Sequence, residues 1–366
     1  MKIIKIPLPS AGANSLALHL QRTLHGGQCF RWKRFLVNSL EIWRGIVNGE
    51  VWWLRLSTQT NVLFCQIDAS LPVSAPDAIK KIVTYFRLET SIANLYDKWA
   101  KIDPNFKKVC DVFQGIRVLD QEPVENTISF ICSSNNNIPR ITQMVSNLCA
   151  EFGSKIPISL PELKTFFGVP LSSFSPEDQE ELESPCYSFP DLDVLAKPEV
   201  EERLRELGFG YRAKFVQGAS KEILRRGGRE WLMSLRAMAY PEAHAELVSL
   251  PGIGAKVADC VCLMGLGHLE AVPVDVHVLS IARTHYPKAL SGVRETKGLS
   301  KAAYQAVGNF FRDLYGEKAG WAQAVLFCAD LKSLNPPTPD GIPCHATSEQ
   351  VSPVSLLTKR KKKKNR

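Results

Sequence analysis

The chain has 366 residues, 45% hydrophobic and 22% charged, enough to bury substantial cores and to hold two or three subdomains of a globular protein. No apolar run approaches the roughly 20 residues that cross a bilayer, and the N-terminus lacks the apolar core and small-residue cleavage site of a secretory signal, so neither a membrane nor a secreted destination is expected. Seven of the 45 basic residues lie between Lys359 and Arg366, leaving 38 against 37 acidic groups, so any anion-binding face must come from local clustering.

Taken in order, the first forty residues carry no Asp or Glu, which resembles a mitochondrial presequence in composition alone. To about residue 110 the pattern is mixed. Strand-like pieces such as EIWRGIVNGEVWWLRLS and NVLFCQID alternate around Asn48-Gly49, which predicts a hairpin and an antiparallel sheet. From Asp77 to Ile102 the period turns helical. Within His25-Gly26-Gly27-Gln28-Cys29-Phe30-Arg31-Trp32, adjacent glycines make either a plain turn or bare backbone that a ligand can touch. Ser133-Ser134-Asn135-Asn136-Asn137 is turn and cap chemistry, and Pro139 fits the first position of a helix over Pro139–Glu151. Residues 151–200, rich in Pro, Ser and acidic groups, are expected to form a surface excursion within the helical body. Val200–Leu207 and Tyr211–Arg226 are predicted helices separated by Gly208-Phe209-Gly210. Arg212, Lys214, Lys221, Arg225, Arg226 and Arg229 offer one basic strip.

Residues 247–282, LVSLPGIGAKVADCVCLMGLGHLEAVPVDVHVLSIA, join two features. Leu247 and Leu250 stand at helical spacing, Pro251, Gly252 and Gly254 break the helix, and Val257, Cys260, Val261 and Met264 resume its period. A glycine turn leaves the next helix's first N–H groups open to a phosphate at the positive dipole end, although an ordinary helix corner has the same pattern. Lys256 lies in that first turn, either as a phosphate partner or as an amine nucleophile for Schiff-base chemistry. Asp275 is a lone carboxylate among apolar residues and the expected N-cap of a helix from Val276. Further on, Lys301–Asp313 and Gly320–Leu331 are predicted helices with Gln323 and Phe327 on one face. The ten cysteines form no Cys-x-x-Cys pair, so they are expected to be reduced core residues, with no metal site.

The blocks HGGQCFRW (25–32), SFICSSNNNIPRI (129–141), LGFGYRAKFV (207–216), LPGIGAKVADCVCLMGLG with AVPVDVHV, and GWAQAVLFCADL (320–331) resemble, in order, those of eukaryotic 8-oxoguanine DNA glycosylases, members of the helix-hairpin-helix Gly/Pro-Asp superfamily. The resemblance implies an α+β fold: a mainly helical body over 121–333, with the hairpin at 246–266 and the Asp segment at 271–279. An N-terminal antiparallel sheet of the TATA-binding-protein type would occupy 1–120, and a disordered Pro-rich and basic tail 334–366.

It also implies site roles. Lys256 would attack C1′ while Asp275 stabilises charge on the sugar. Gly27 would present its carbonyl to the N7–H that 8-oxoguanine has and guanine lacks, Phe327 would stack on the extruded base, and Gln323 would bond its Watson–Crick edge. Cys260, one helical turn from Lys256, would border the base and either tune the amine or only pack. Asn135 would fill the gap left in the duplex, Arg140 would contact the orphaned cytosine, and Tyr211 would wedge against the base pair beside the lesion; Gly252, Gly254 and His277 would meet the DNA. The implied partners are double-stranded DNA containing 8-oxoguanine and downstream base excision repair proteins, with no cofactor and a monomeric chain. The run Lys359–Lys364 implies a nuclear-localisation signal, with a mitochondrial fraction open. Two alternatives remain, a glycosylase for another oxidised or alkylated base and a noncatalytic helix-hairpin-helix DNA-binding module.

Overall fold

The computed structural model describes residues 3–9, 16–38, 40–68, 73–158, 168, 170–294, 296 and 298–334. The expected tail therefore lies, except for Leu334, outside the described residues.

Five strands, β1 (Ile4–Pro7), β2 (Trp32–Val37), β3 (Leu40–Val47), β4 (Glu50–Ser57) and β5 (Val62–Asp68), form one antiparallel sheet in the order β1-β5-β4-β3-β2. Asn48 and Gly49, at φ 51° and 74°, close the β3–β4 hairpin at the pair Val47↔Glu50, the backbone that a two-residue turn needs to match strand twist. Between β1 and β2 lies the short helix α1 (Leu20–Leu24), and after β5 come α2 (Ala75–Tyr85), α3 (Ile92–Ile102) and α4 (Pro104–Cys110). The helical run expected from Asp77 to Ile102 is thus two helices, broken where Arg87 takes φ 49°.

The sheet is covered on both faces. Trp43, Trp52, Leu54, Leu63 and Cys65 pack with Ala78, Ile82 and Tyr85. On the other face Phe35, Val37, Ile42, Val51 and Trp53 pack with Ile156, Phe174, Leu182 and Cys186. The segment expected to be a surface excursion of the helical body is therefore a cover for the sheet. It holds the hairpin β6 (Lys155–Ile156) and β7 (Cys186–Tyr187), with α7 (Pro176–Glu183) between them in sequence. Its anchor is Arg44 of β3, 4% exposed, which donates to Glu181 Oε1 at 2.6 Å, Leu182 O at 3.1 Å and Ser184 Oγ at 3.1 Å. A buried guanidinium needs that many acceptors, because each unpaired donor carries a desolvation cost.

The helical body contains α5 (Pro123–Ile131), α6 (Ile138–Phe152), α8 (Leu192–Leu195), α9 (Val200–Glu206), α10 (Arg212–Arg226), α11 (Gly228–Ser234), α12 (Tyr240–Val248), α13 (Ala255–Val261), α14 (Val276–His285), α15 (Lys301–Tyr315) and α16 (Ala319–Asp330). Pro139 stands one position inside α6, behind Ile138, with the Asn137 side chain capping at Arg140 N. These helices share one apolar core that includes Ile128, Leu148, Val216, Leu247, Val261, Val278, Phe311 and Trp321.

Candidate active site

Helix α12 ends at Val248, and the chain turns through Leu250 N–H to Leu247 O at 3.0 Å and Ile253 N–H to Leu250 O at 3.2 Å before α13 begins. Gly252 makes the turn at φ 77°, and a Cβ there would lie 2.4 Å from the Phe215 side chain. The hairpin is thus seated on α10. Gly254 has an ordinary φ of −92° and open space at its Cβ position. Among the described residues no side chain caps α13, so its leading N–H groups stay open beside an unobstructed glycine surface, as an anion grip requires. After Val261 the helix widens into a π-type turn, Cys262–Leu266.

Lys256 and Cys260 project from α13 into a pocket of about 470 Å3, counted out to its open mouth. Gly26, Gly27 and Gln28 line one side, Leu263 and Met264 another, and Phe130, Pro273, Asp275, Val278, Gln323, Ala324 and Phe327 complete it. The Lys256 amine lies 3.3 Å from Ser133 Oγ and 5.2 Å from the centre of the Phe130 ring. Asp275 caps α14 as expected, its Oδ1 accepting from His277 N and Val278 N, each at 2.9 Å. Those two hydrogen bonds orient the carboxylate and leave Oδ2 for the pocket, which Asp275 lines. Gln323 is 6% exposed, and among the described residues no group hydrogen-bonds its amide. The amide lines the pocket, where it is free to pair with a bound group. Burial raises the Cys260 thiol to about 11 although Lys256 works in the other direction, so at neutral pH it is an uncharged wall residue.

Six of the expected residues therefore converge on one pocket: Gly27, Lys256, Cys260, Asp275, Gln323 and Phe327. The others stand around it. His277 packs edge-on against Phe327, ring centres 6.0 Å apart, and its Nδ1 is 3.5 Å from Asp330 Oδ2. Asn135, exposed and at φ 47°, follows Ser134, whose carbonyl accepts from Tyr211 Oη at 3.1 Å. Tyr211 precedes α10 as its N-cap residue, and Arg140 is exposed in the first turn of α6. The basic strip is largely spent inside the protein. Arg212 donates to the Ser134 and Asn135 carbonyls, Arg225 and Arg226 pair with Glu222, Arg226 with Glu246, and Arg229 with Glu122. Glu222 within α10 and Glu246 and Glu122 from distant parts of the chain take up those arginines, so Lys214 and Lys221 remain its exposed members without an ion pair among the described residues.

Residues 11–127 match the 8-oxoguanine DNA glycosylase N-terminal domain, and residues 128–303 match the HhH-GPD superfamily of base excision DNA repair proteins. The N-glycosylase/DNA lyase OGG1 of Arabidopsis thaliana is 36% identical over 317 residues, which cover 86% of this chain and 78% of that protein. The N-glycosylase/DNA lyase of Saccharomyces cerevisiae is 33% identical over 361 residues, 90% of this chain and 87% of that one. The chain belongs to the 8-oxoguanine DNA glycosylase family. Its fold agrees with that membership. MBOgg1, solved in complex with a low-affinity DNA ligand, is 26% identical with a TM-score of 0.69, covering 86% of this chain and 93% of that chain. The apo 8-oxoguanine glycosylase/lyase of Clostridium acetobutylicum, 24% identical, shares the fold at a TM-score of 0.68 over 86% of this chain and 94% of that one.

In this member of the 8-oxoguanine DNA glycosylase family, Phe130 and Ser133 are neighbours of Lys256 that sequence pattern does not assign to the amine. They stand three apart, Phe130 in the last turn of α5 and Ser133 in the turn that follows, where Ser133 N–H and Oγ both donate to the Phe130 carbonyl, at 3.0 and 2.7 Å. That spacing is visible in SFICSS, but nothing local pairs it with a lysine 123 positions later.

Proposed function

We propose that this chain is a bifunctional DNA glycosylase and abasic-site lyase that removes 8-oxoguanine, preferably opposite cytosine, from duplex DNA during base excision repair. The observation that carries this reading is the single pocket in which an amine, a carboxylate, a free amide and a ring meet: Lys256, Asp275, Gln323 and Phe327. A base in a duplex cannot reach such a pocket, so the nucleotide is extruded, and the unstacking cost falls on the gripping surfaces outside. In this reading Gly252, Gly254 and His277 hold backbone and sugar. Asn135 occupies the vacated space, Tyr211 wedges the neighbouring pair, and the Arg140 fork donates to the cytosine acceptors N3 and O2.

Inside, Phe327 stacks on the base and Gln323 bonds its Watson–Crick edge. The Gly27 carbonyl accepts N7–H from the lesion; guanine would set its N7 acceptor against that carbonyl, leaving two acceptors unpaired. The Lys256 amine attacks C1′ as the N-glycosidic electron pair leaves with the base, and the Asp275 carboxylate stabilises positive charge on the sugar. Loss of a proton and ring opening give the Schiff base. Removal of the C2′ proton then expels the 3′ phosphate, and hydrolysis frees the amine. The basic run Lys359–Lys364 would direct the chain to the nucleus.

Borohydride reduction of the Schiff base should link the protein to duplex containing 8-oxoguanine. Lys256→Gln should abolish the adduct and base release together, whereas full trapping in that variant would sink the nucleophile assignment. Excision from duplexes with each of the four opposing bases should favour cytosine, and Arg140→Ala should flatten that preference. Indifference of the parent protein to the opposing base would remove the role given to Arg140.

A further inference from the structure

The pocket has two walls from distant parts of the chain. Gly26, Gly27 and Gln28 come from the turn after α1, while Leu263 and Met264 come from the π-type turn after α13. One residue bonds both, and it does not itself line the pocket. Gln121, 8% exposed, donates its backbone N–H to Met264 O at 2.8 Å and its side-chain Nε2 to Gln28 O at 2.9 Å.

Both ends of this bridge are stiffened. Gln28 is docked on the segment leading into Gln121. Its Nε2 donates to Arg117 O at 2.8 Å and its Oε1 accepts from Leu119 N at 3.1 Å. The Gly27 carbonyl and the Gln28 N–H belong to one planar peptide unit. Gly27 itself sits at φ 80°, with its Cβ position 3.6 Å from Phe327, so it has no side chain with which to fix that plane. The direction of the Gly27 carbonyl is therefore set by where Gln28 is held. At the other end of the bridge Arg236 Nη2 donates to Gly265 O at 2.7 Å and to Asp120 Oδ1 at 3.1 Å, tying the π-type turn to the residue before Gln121.

We propose that Gln121 is a positioning residue for base recognition, a two-handed spacer that holds the Gly27–Gln28 turn and the Met264 wall at the separation a damaged purine needs. The proposal rests on the reading of Gly27 as the group that senses the lesion. Nothing in it touches Lys256 or Asp275. Its loss should therefore weaken the choice and seating of the base while leaving the amine able to act on a sugar that carries no base.

That separation gives the test. Gln121→Glu keeps the shape but sets an acceptor against the Gln28 carbonyl, and Gln121→Met keeps the length with no donor. In the full chain, single-turnover release of 8-oxoguanine should fall tenfold or more in both, with the Glu variant worse. Strand cleavage at a preformed abasic site and affinity for undamaged duplex should stay within twofold of the parent. Unchanged base release would overturn the proposal. So would a parallel fall of base release and abasic-site cleavage, which would show that Gln121 merely supports the fold. Failure of the parent protein to release 8-oxoguanine would instead sink the functional reading on which the proposal rests.

Discussion

His277 and Cys260 border the pocket and are both shifted above their ordinary values, by different causes. The Asp330 carboxylate raises the His277 imidazole above its ordinary value of 6.5, with Asp275 assisting and partial burial opposing. A raised folded-state value means that the charged imidazole contributes stability below the unfolded value, a contribution that disappears as pH rises through the folded one. Both side chains are about half exposed, 54% and 43%, so solvent screening keeps the stability term small. The pKa itself is the better observable: Asp330→Asn should lower the His277 value in an NMR titration of its ring protons, and an unmoved titration would remove Asp330 as the cause. Cys260 is the opposite case. Because burial keeps it a thiol up to about 11, Cys260→Ala should change the rate of base release through packing alone. Its pH–rate profile over the neutral range should keep the parent's shape; a limb that disappears with the thiol would show Cys260 to be a titrating partner of Lys256.

At the scale of elements, the two glycines of the hairpin separate folding from binding. Gly252→Ala places a methyl 2.4 Å from the Phe215 side chain at a φ of 77°, combining left-handed strain with overpacking for about 2–4 kcal/mol. It should lower the melting temperature and loosen the seat of α13 on α10. Gly254→Ala meets open space at an ordinary φ, so stability should hold while the methyl obstructs a phosphate approaching the helix start. Melting curves and duplex affinity measured on both variants check this; equal losses of stability would contradict the geometry. The hairpin and the Asp275 cap were legible in the sequence because their signals are local: a break in helical period at Pro251-Gly252 and a carboxylate before an apolar helix. The cover over the sheet was not. Its composition is polar, and among the described residues a few apolar side chains do the covering, Ile156, Phe174, Leu182 and Cys186 buried and Ile158 and Leu171 partly so. The available clue lay elsewhere, in adjacent Trp52 and Trp53, both buried. Since neighbouring strand residues point to opposite faces, two buried tryptophans in a row require a sheet covered twice.

For the whole molecule, charge and chemistry lie in different parts of the chain. Apart from residues 359–366, basic and acidic groups nearly balance, 38 against 37, and much of the α10 cluster is consumed in internal pairs. Sequence could count those cations but not see their partners. Glu246 and Glu122 reach Arg226 and Arg229 across 20 and 107 positions. General attraction to a polyanion then falls to the basic end of the chain, whereas seating of the base belongs to the pocket. Deleting residues 359–366 should weaken binding to undamaged duplex and flatten its salt dependence by up to ~0.9 in slope for each phosphate no longer neutralised. The single-turnover rate of 8-oxoguanine release at saturating protein should not change, because none of the pocket's lining residues is removed. Duplex affinity across a salt series, with saturated excision rates on the same preparations, measures the two effects independently. An unchanged salt slope would place the electrostatic attraction on the folded body, with Lys214 and Lys221 the first residues to substitute.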